Sequence, residues 1–555
     1  MSVEKTGDFL FPNIEKTISY YEEKYPNRDL TSKNIVTRFA PSPTGFVHVG
    51  SLFSAFIASM FAKQSEGVFF LRIEDTDLKR KVAGTQEGIL KDLSDFGIDF
   101  DEGPNKSNQI YGPFIQSQRK QIYLAFIKEM LNQDLAYPCF CSEKDLETIR
   151  ENQEINKEHT GYYGKWARCR DLSLEQIKKK VDEGIEYTIR LKSQGSFNKR
   201  IDHVDLVKGS VSFPENFLDI VILKTNKLPT YHFAHLVDDY LMRTTHIIRG
   251  DEWLSSVPIH LQLFDTLGFK RPKYAHFAPI LKNDEGKKRK LSKRLDKEAS
   301  ISYYHEIGIP KEVLKIYLAT LANTNFEEWY NLKNDAQIID FNFSFKKMNT
   351  SGALFDKEKL NNISRVYFSR LSAEKLYDDS LEYFLEYDDY FYQIIKKDKQ
   401  KMLNILNIER NIKKPRKDIS CFSDIRDLNW YFFDEIYNKK NTENLYKDLI
   451  LNNKYDLDLI EQYFNNVYKI EEKQEWFNRV KDFVSKNGYA ESNKDYKENP
   501  DKYKGTVGDF CESLRHVLTG ETKTPDLHKV IEVISKKSIL ERIEKFKNVY
   551  IKINK

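Results

Sequence analysis

Residues 34–63 read NIVTRFA, then PSPTGFVHVGS, then LFSAFIASMFAK. The apolar, β-branched run over 34–40 breaks at Pro41 and Pro43 and an apolar run resumes over 52–63, which predicts strand, tight loop, helix. Gly45 and Gly50 let backbone approach a ligand closely, Ser51 suits the N-cap, and His48 stands at the helix start beside N–H groups without an intrahelical partner. Such a turn suits a triphosphate. A second signal, Lys290-Leu291-Ser292-Lys293-Arg294, ends the polar, Gly-containing segment NDEGKKRKLSKR at 283–294. Lys290 and Lys293 are three residues apart and can address phosphate oxygens together, a charge that would stabilise departing pyrophosphate. Alone, an HxGS tetrapeptide reads as a helix cap and a lysine-rich loop as solvated surface. Together they point to adenylate formation from ATP.

Working outward, a strand over 68–73 and a helix over 87–96 continue a β/α alternation that buries a parallel sheet. After Gly112 the pattern changes to a helix over 116–132, a cysteine-containing stretch, and β candidates at 186–191 and 219–223. The rhythm returns as helix 231–242, strand 245–249, helix 257–267 and strand 276–281. Pro310 opens a helix that runs through 321. Beyond Leu371, Lys, Asp, Asn and Tyr dominate, with helical periods at 457–467 and 530–546. The first 33 residues carry a short helix over 14–24 between Pro12 and Pro26, and no internal repeat is visible.

The 555 residues suffice for three or four domains with sizeable cores. Lys+Arg 88 against Asp+Glu 84 leaves a net charge of +4, so contact with nucleic acid must come from local basic patches. No apolar stretch reaches the roughly 18 residues of a membrane span, and the N-terminus lacks a signal peptide's apolar core; the expectation is a cytoplasmic protein with no membrane partner. Five cysteines, an odd number, argue for a reducing compartment, with Cys421 and Cys511 as packing residues.

The paired motifs resemble those of the class I aminoacyl-tRNA synthetases, with His48 to Ser51 in the place of the family's HIGH motif and Lys290 to Arg294 in that of its KMSKS motif. RFAPSPTGFVHVG at 38–50, LRIEDTD at 71–77, PTYHFAHLVDD at 229–239 and IRGDEWL at 248–254, all in the family's order, narrow the resemblance to the bacterial glutamyl-tRNA synthetases. It covers residues 34 to 370 closely and the remainder loosely, with LRHVLTGETKTPDL at 514–527 similar to the family's C-terminal region.

This resemblance implies an α/β fold: a Rossmann-type catalytic domain split by an acceptor-binding insertion and followed by an α-helical anticodon-binding region. The implied boundaries are an N-terminal extension 1–33, catalytic halves 34–112 and 225–300, the insertion 113–224, a connecting stem-contact region 301–370 and the helical anticodon-binding domain 371–555. Arg38 and Tyr231 match positions that hold the glutamate side-chain carboxylate, Glu74 the one facing the ammonium, and Arg249 the anchor of the α-carboxylate. Ser42 and His235 complete that set, although His235 departs from a pattern in which some members carry Asn. ATP would meet Ser42, Thr44, His48, Gly50, Glu252, Trp253, Leu281 and Lys293, with Mg2+ shared between phosphates. His48, Lys290 and Lys293 would carry catalysis.

Some members hold zinc at the position of Cys139 and Cys141. Here Cys169 is the later thiol and Asp171 or Tyr163 a candidate fourth ligand, with reduced free thiols as the alternative. Arg416, in KKPRKD, matches a residue that could read the third anticodon base or contact a phosphate. The implied partners are glutamate tRNA, L-glutamate and ATP, and the implied oligomeric state is a monomer. Alternatives are an enzyme that also charges glutamine tRNA with glutamate and a catalytically silent tRNA-binding protein, which intact motifs argue against. A tRNA-modifying glutamyl transferase is disfavoured by the residues after Arg370. A glutaminyl-tRNA synthetase is disfavoured by Arg38 and by the helical C-terminal portion.

Overall fold

The computed structural model describes residues 4–43, 47–77, 84–292, 294–333 and 336–554. They form two compact units, Met1–Tyr303 with Leu314–Asp356, and Tyr304–Val313 with Lys357–Lys555.

In the first unit the strand Val36–Phe39 runs parallel to Val68–Leu71, with Val36 opposite Val68 and Phe39 opposite Leu71. Every residue of the two but the half-buried Val68 is buried, as the two covered faces of a parallel sheet require. A second parallel pair, His246–Gly250 with Lys273–Phe277, lies alongside. Thr245 joins the pairs: its hydroxyl accepts from the Val36 N–H at 2.8 Å and its own N–H donates to Val36 O at 3.0 Å. The helix Val49–Gln64 buries Leu52, Phe53, Phe56, Ile57 and Phe61. This is the doubly wound catalytic fold that the motifs imply.

The strand expected over 276–281 is in fact two. Lys273–Phe277 ends the parallel sheet, and Ile280–Asp284 pairs antiparallel with Lys287–Lys290 and parallel with Ala353–Leu354. Pro279 has no N–H to give the sheet and marks the break. The polar 283–294 segment therefore opens as a hairpin, turning through Glu285 at φ 48° and Gly286 at φ 86°.

Within 113–224, a three-stranded antiparallel sheet is built from Ala136–Cys139, Thr188–Leu191 and Val221–Leu223. Helices Glu143–Ile155 and Leu174–Asp182 start at capping boxes, Ser142 with Asp145 and Ser173 with Gln176. A hairpin, Arg200–Asp205 with Gly209–Pro214, has no counterpart in the sequence expectations, because its strands are short and only one of their residues is fully buried, so hydrophobic alternation is weak. The N-terminal segment forms helices Thr6–Leu10 and Ile18–Lys24, the second beginning only at the Thr17 cap. Phe11, Ile14, Tyr21 and Tyr25 enter the same core as Tyr123, Phe126 and Phe233, so the segment is an integral part of the unit.

The second unit is helical and encloses one core containing Phe384, Phe391, Met402, Tyr437, Tyr446, Phe510 and Phe546. The single helix expected over 530–546 is two, Leu527–Val533 and Lys536–Ile553. Ser535 interrupts them by accepting the Ser538 N–H as an N-cap. Among the described residues no helix is long and apolar enough to cross a membrane.

Candidate active site

At the carboxyl ends of the parallel strands, where such sheets bind ligands, a cavity of about 580 Å³ opens in the first unit. Arg38, Ser42, His48, Gly50, Glu74, Tyr231, Arg249, Glu252, Trp253 and Lys290 all line it. His235 and Leu281 do not; Ile280 and Leu291 do. Thr44 and Lys293 lie outside the described residues. Gln116, Thr76, Asp77 and Lys224 also line the cavity, although the motif reading did not single them out.

Ser51 is not the helix cap. His48 is: its Nδ1 accepts the Ser51 N–H at 3.2 Å. With Nδ1 an acceptor, the neutral ring carries its proton on Nε2. Gly50 is required because a Cβ there would come within 2.8 Å of His48 Cε1. The glycine of the HVGS tetrapeptide thus lets the imidazole fold over the first helical turn.

On the amino-acid side, a buried ionic lattice fixes the lining residues. Arg38 donates from Nε and Nη2 to Asp239 at 3.0 and 3.2 Å. Arg72 reaches Asp239 at 2.9 Å and Glu74 at 3.0 Å. Asp238 is held by Arg119 at 2.6 Å, Gln116 at 2.9 Å and Tyr123 at 2.9 Å. Three guanidiniums therefore face three carboxylates, the condition for burying them at all. Burial raises the Glu74 carboxyl, opposed by the neighbouring Arg72 and Arg38. Against the opposing effect of burial, Arg38 and Arg72 drive Asp239 well below the usual carboxylate range. His235 is fully buried behind this lattice, 2.8 Å from Asp239 and stacked on Tyr231, and burial lowers it to about 3, so it is neutral.

Arg249 differs. It is 7% exposed, and among the described residues it has no carboxylate within ion-pair reach. Its partners are neutral: His276 Nε2 at 2.9 Å, the Tyr231 hydroxyl at 3.0 Å, Trp253 O at 3.3 Å and His260 Nδ1 at 3.3 Å. Burial keeps both imidazoles neutral. A desolvated positive charge facing a cavity is a receptor for an anion. Because Tyr231 accepts from Arg249, its own proton is left for a second acceptor.

Across the cavity, Lys290 Nζ lies 3.0 Å from Glu252 Oε1. The segment after Lys290 is organised by Asp296, a buried residue the motif reading passed over. It takes Arg289 at 2.6 and 2.9 Å, the Ser292 N–H at 2.8 Å and Lys282 at 3.0 Å. Its carboxyl is held far below the ordinary range by Arg289 first.

Cys139, Cys141 and Cys169 come together, their sulfurs within 4.8 Å of one another. The group facing them is neither Asp171, which lies 3.6 Å from Lys192, nor Tyr163, whose hydroxyl bonds His159 O. It is Tyr162, with its hydroxyl 3.3 Å from Cys141 Sγ. Hydrogen bonds from Cys141 and Cys169 lower the Cys139 thiol. Three sulfurs offer the soft thiolate ligands that suit zinc, one short of a tetrahedral set, and the Tyr162 oxygen is the harder donor beside them. In the second unit, the Arg416 guanidinium bonds Asp418 at 2.8 Å, while its buried Nη1 has no hydrogen-bond partner among the described residues.

Comparison with known proteins identifies the family. Residues 34–362 match the family model described as tRNA synthetases class I (E and Q), catalytic domain, and residues 355–547 an anticodon binding domain. The chain is 44% identical to the glutamate–tRNA ligase of Clostridium perfringens (strain SM101 / Type A), over 98% of its length and 100% of the relative's. It is 43% identical to that of Clostridium beijerinckii, over 99% and 100%. A crystal structure of a glutamate tRNA ligase from Elizabethkingia meningosepticum in complex with its amino acid superposes with a TM-score of 0.74 at 27% identity, covering 93% of this chain and 99% of that one. With a class I synthetase catalytic domain matched over residues 34–362, an anticodon-binding domain behind it in sequence, and full-length relatives above 40% identity, the chain belongs to the glutamate–tRNA ligases, class I aminoacyl-tRNA synthetases.

Proposed function

We propose that the chain activates L-glutamate with the magnesium complex of ATP and transfers the glutamyl group to the 3′ end of glutamate tRNA, releasing pyrophosphate and AMP. The observation that carries this is the buried, acid-free Arg249 on the same cavity as Arg38, Glu74 and Tyr231, with the His48 cap alongside. Arg249 takes the α-carboxylate, Glu74 the ammonium, and Arg38 with the Tyr231 hydroxyl the distal carboxylate, so each charge of glutamate meets a partner that water cannot replace cheaply. Ser42, and His235 through Tyr231, support this pocket.

ATP occupies the other side of the cleft against Ser42, Thr44, Gly50, Glu252, Trp253 and the backbone at Leu281. An α-carboxylate oxygen attacks the α-phosphorus, the bond to the bridging oxygen breaks, and pyrophosphate departs. No general base is needed, because the nucleophile is already ionised. Catalysis is positioning and charge stabilisation by His48, Lys290 and Lys293. The terminal adenosine hydroxyl of the tRNA then attacks the adenylate carbonyl and AMP leaves. Residues 34–112 and 225–300 serve as catalytic halves, 113–224 as the acceptor-binding insertion, 301–370 as the stem contact and 371–555 as the anticodon reader, with Arg416 among its contacts. The enzyme works as a cytoplasmic monomer, and zinc on Cys139, Cys141, Cys169 and Tyr162 would fix the fold of the insertion.

Charging purified glutamate and glutamine tRNAs with labelled glutamate tests the reading. Label on glutamate tRNA is the expected result, label on both identifies a non-discriminating enzyme, and none on either refutes the assignment.

A further inference from the structure

The hairpin Arg200–Asp205 with Gly209–Pro214 belongs to the insertion, yet the end of its first strand reaches His276, the hydrogen-bond partner of the cavity-lining Arg249. Asp205 is 1% exposed and both its oxygens face donors. Oδ1 accepts the N–H groups of Val207 and Lys208 at 2.9 Å each, and Oδ2 lies 2.7 Å from His276 Nδ1. On the far side of the imidazole, His276 Nε2 lies 2.9 Å from Arg249 Nε. An arginine Nε only donates, so His276 Nε2 must be the acceptor and Nδ1–H must donate to Asp205. Arg249 thus donates to both sides, to the Tyr231 hydroxyl and to His276, and the imidazole in turn donates to the carboxylate. Next to it, Lys208 Nζ bonds Asp251 at 2.8 Å and Thr350 O at 2.7 Å, which ties the same tip to the turn carrying Glu252 and Trp253.

We propose that Asp205 and His276 are positioning residues for amino-acid recognition: the insertion's hairpin, through Asp205, sets the tautomer of His276 and so the orientation of the Arg249 guanidinium toward the substrate α-carboxylate. This rests on the reading that Arg249 holds that carboxylate. His276 supplies an acceptor without supplying a negative charge. It can therefore aim Arg249 without neutralising it, whereas a carboxylate placed directly on Arg249 would compete with the substrate.

Asp205→Asn tests it, because asparagine has one acceptor oxygen where two are used. If its amide nitrogen faces His276, the imidazole must move its proton to Nε2, against the Arg249 Nε–H. If the amide nitrogen faces the turn instead, it meets the N–H groups of Val207 and Lys208. Steady-state pyrophosphate exchange in the presence of glutamate tRNA should show the KM for glutamate rising about tenfold to a hundredfold, the range expected for a hydrogen bond to a charged group, while the KM for ATP stays within about twofold. His276→Phe should do the same. His276→Gln, which can both accept from Arg249 and donate to Asp205, should stay near the unsubstituted protein. If Asp205→Asn fails to fold, as its melting curve will show, the two His276 variants decide. Equal rises in both KM values, or no rise in glutamate KM, overturn the relay when Arg249→Lys does raise the glutamate KM. If Arg249→Lys leaves it unchanged, the anchor reading itself is wrong and the relay falls with it.

Discussion

Replacing Arg38 by Gln separates amino-acid recognition from support of the fold. The side chain is 5% exposed and gives two hydrogen bonds to Asp239. Asp239 would keep Arg72 at 2.9 Å and the Thr244 hydroxyl at 3.0 Å. The fold should therefore lose about 2 kcal/mol, less than the roughly 3–5 kcal/mol of stranding a buried charge outright. The glutamate side chain has no such reserve. Without Arg38 its distal carboxylate would be buried against the Tyr231 hydroxyl alone, at a cost of about 3–5 kcal/mol, or roughly 10²- to 10⁴-fold in kcat/KM. Glutamine as substrate, which brings no charge, should lose about tenfold or less, because the side-chain amide introduced by Arg38→Gln can still hydrogen-bond the substrate amide. Discrimination between the two amino acids should thus narrow by at least about tenfold. Steady-state activation kinetics with both, at saturating ATP and tRNA, read this directly, with a melting curve reporting on the fold. An equal proportional loss for glutamate and glutamine would show that Arg38 only supports Asp239 and does not read the side chain.

Three further outcomes follow from the same geometry. His48→Ala should lower adenylate formation by roughly 10²-fold or more, while the lost cap costs only about 1 kcal/mol of stability; unchanged turnover would reduce His48 to a cap. Burial lowers His232 to about 4 and His235 to about 3, so the unfolded chain takes up protons first. Their contribution is complete above about pH 6.5 and is lost on acidification, about 2 kcal/mol each at pH 5; a melting temperature flat between pH 7 and 5 would contradict this. Elemental analysis of protein purified without chelator should find about one zinc per chain, lost in Cys141→Ser; a metal-free protein whose three clustered thiols are all reactive would rule the site out.

The strand–loop–helix at 34–63 was legible because hydrophobic runs, two prolines and a glycine specify it locally, and ten of the residues lining the cavity were legible because short motifs carry them, whereas Gln116 and Lys224 lie in no such motif. What the sequence concealed were the partners. Asp239 lies 201 positions from Arg38, and Asp205 lies 71 from His276; no periodicity links such pairs. Tyr162 rather than Tyr163 faces the thiols, a choice set by how the chain turns between Gly161 and Gly164 and not by residue type. The break at Ser535 was missed because hydrophobic spacing carries across it, while the cap that makes it is one side-chain hydrogen bond. The Arg200–Pro214 hairpin escaped because only one of its strand residues is fully buried, so little hydrophobic alternation marks it.

The central claim is that this cavity selects glutamate and joins it to ATP. Exchange of labelled pyrophosphate into ATP, measured with the full chain, glutamate tRNA and each amino acid in turn, addresses it most directly. Exchange should depend on glutamate, exceed that with glutamine by orders of magnitude, and fall roughly 10²-fold or more in His48→Ala. Exchange that is absent with glutamate, or equal for glutamate and glutamine, would contradict the account.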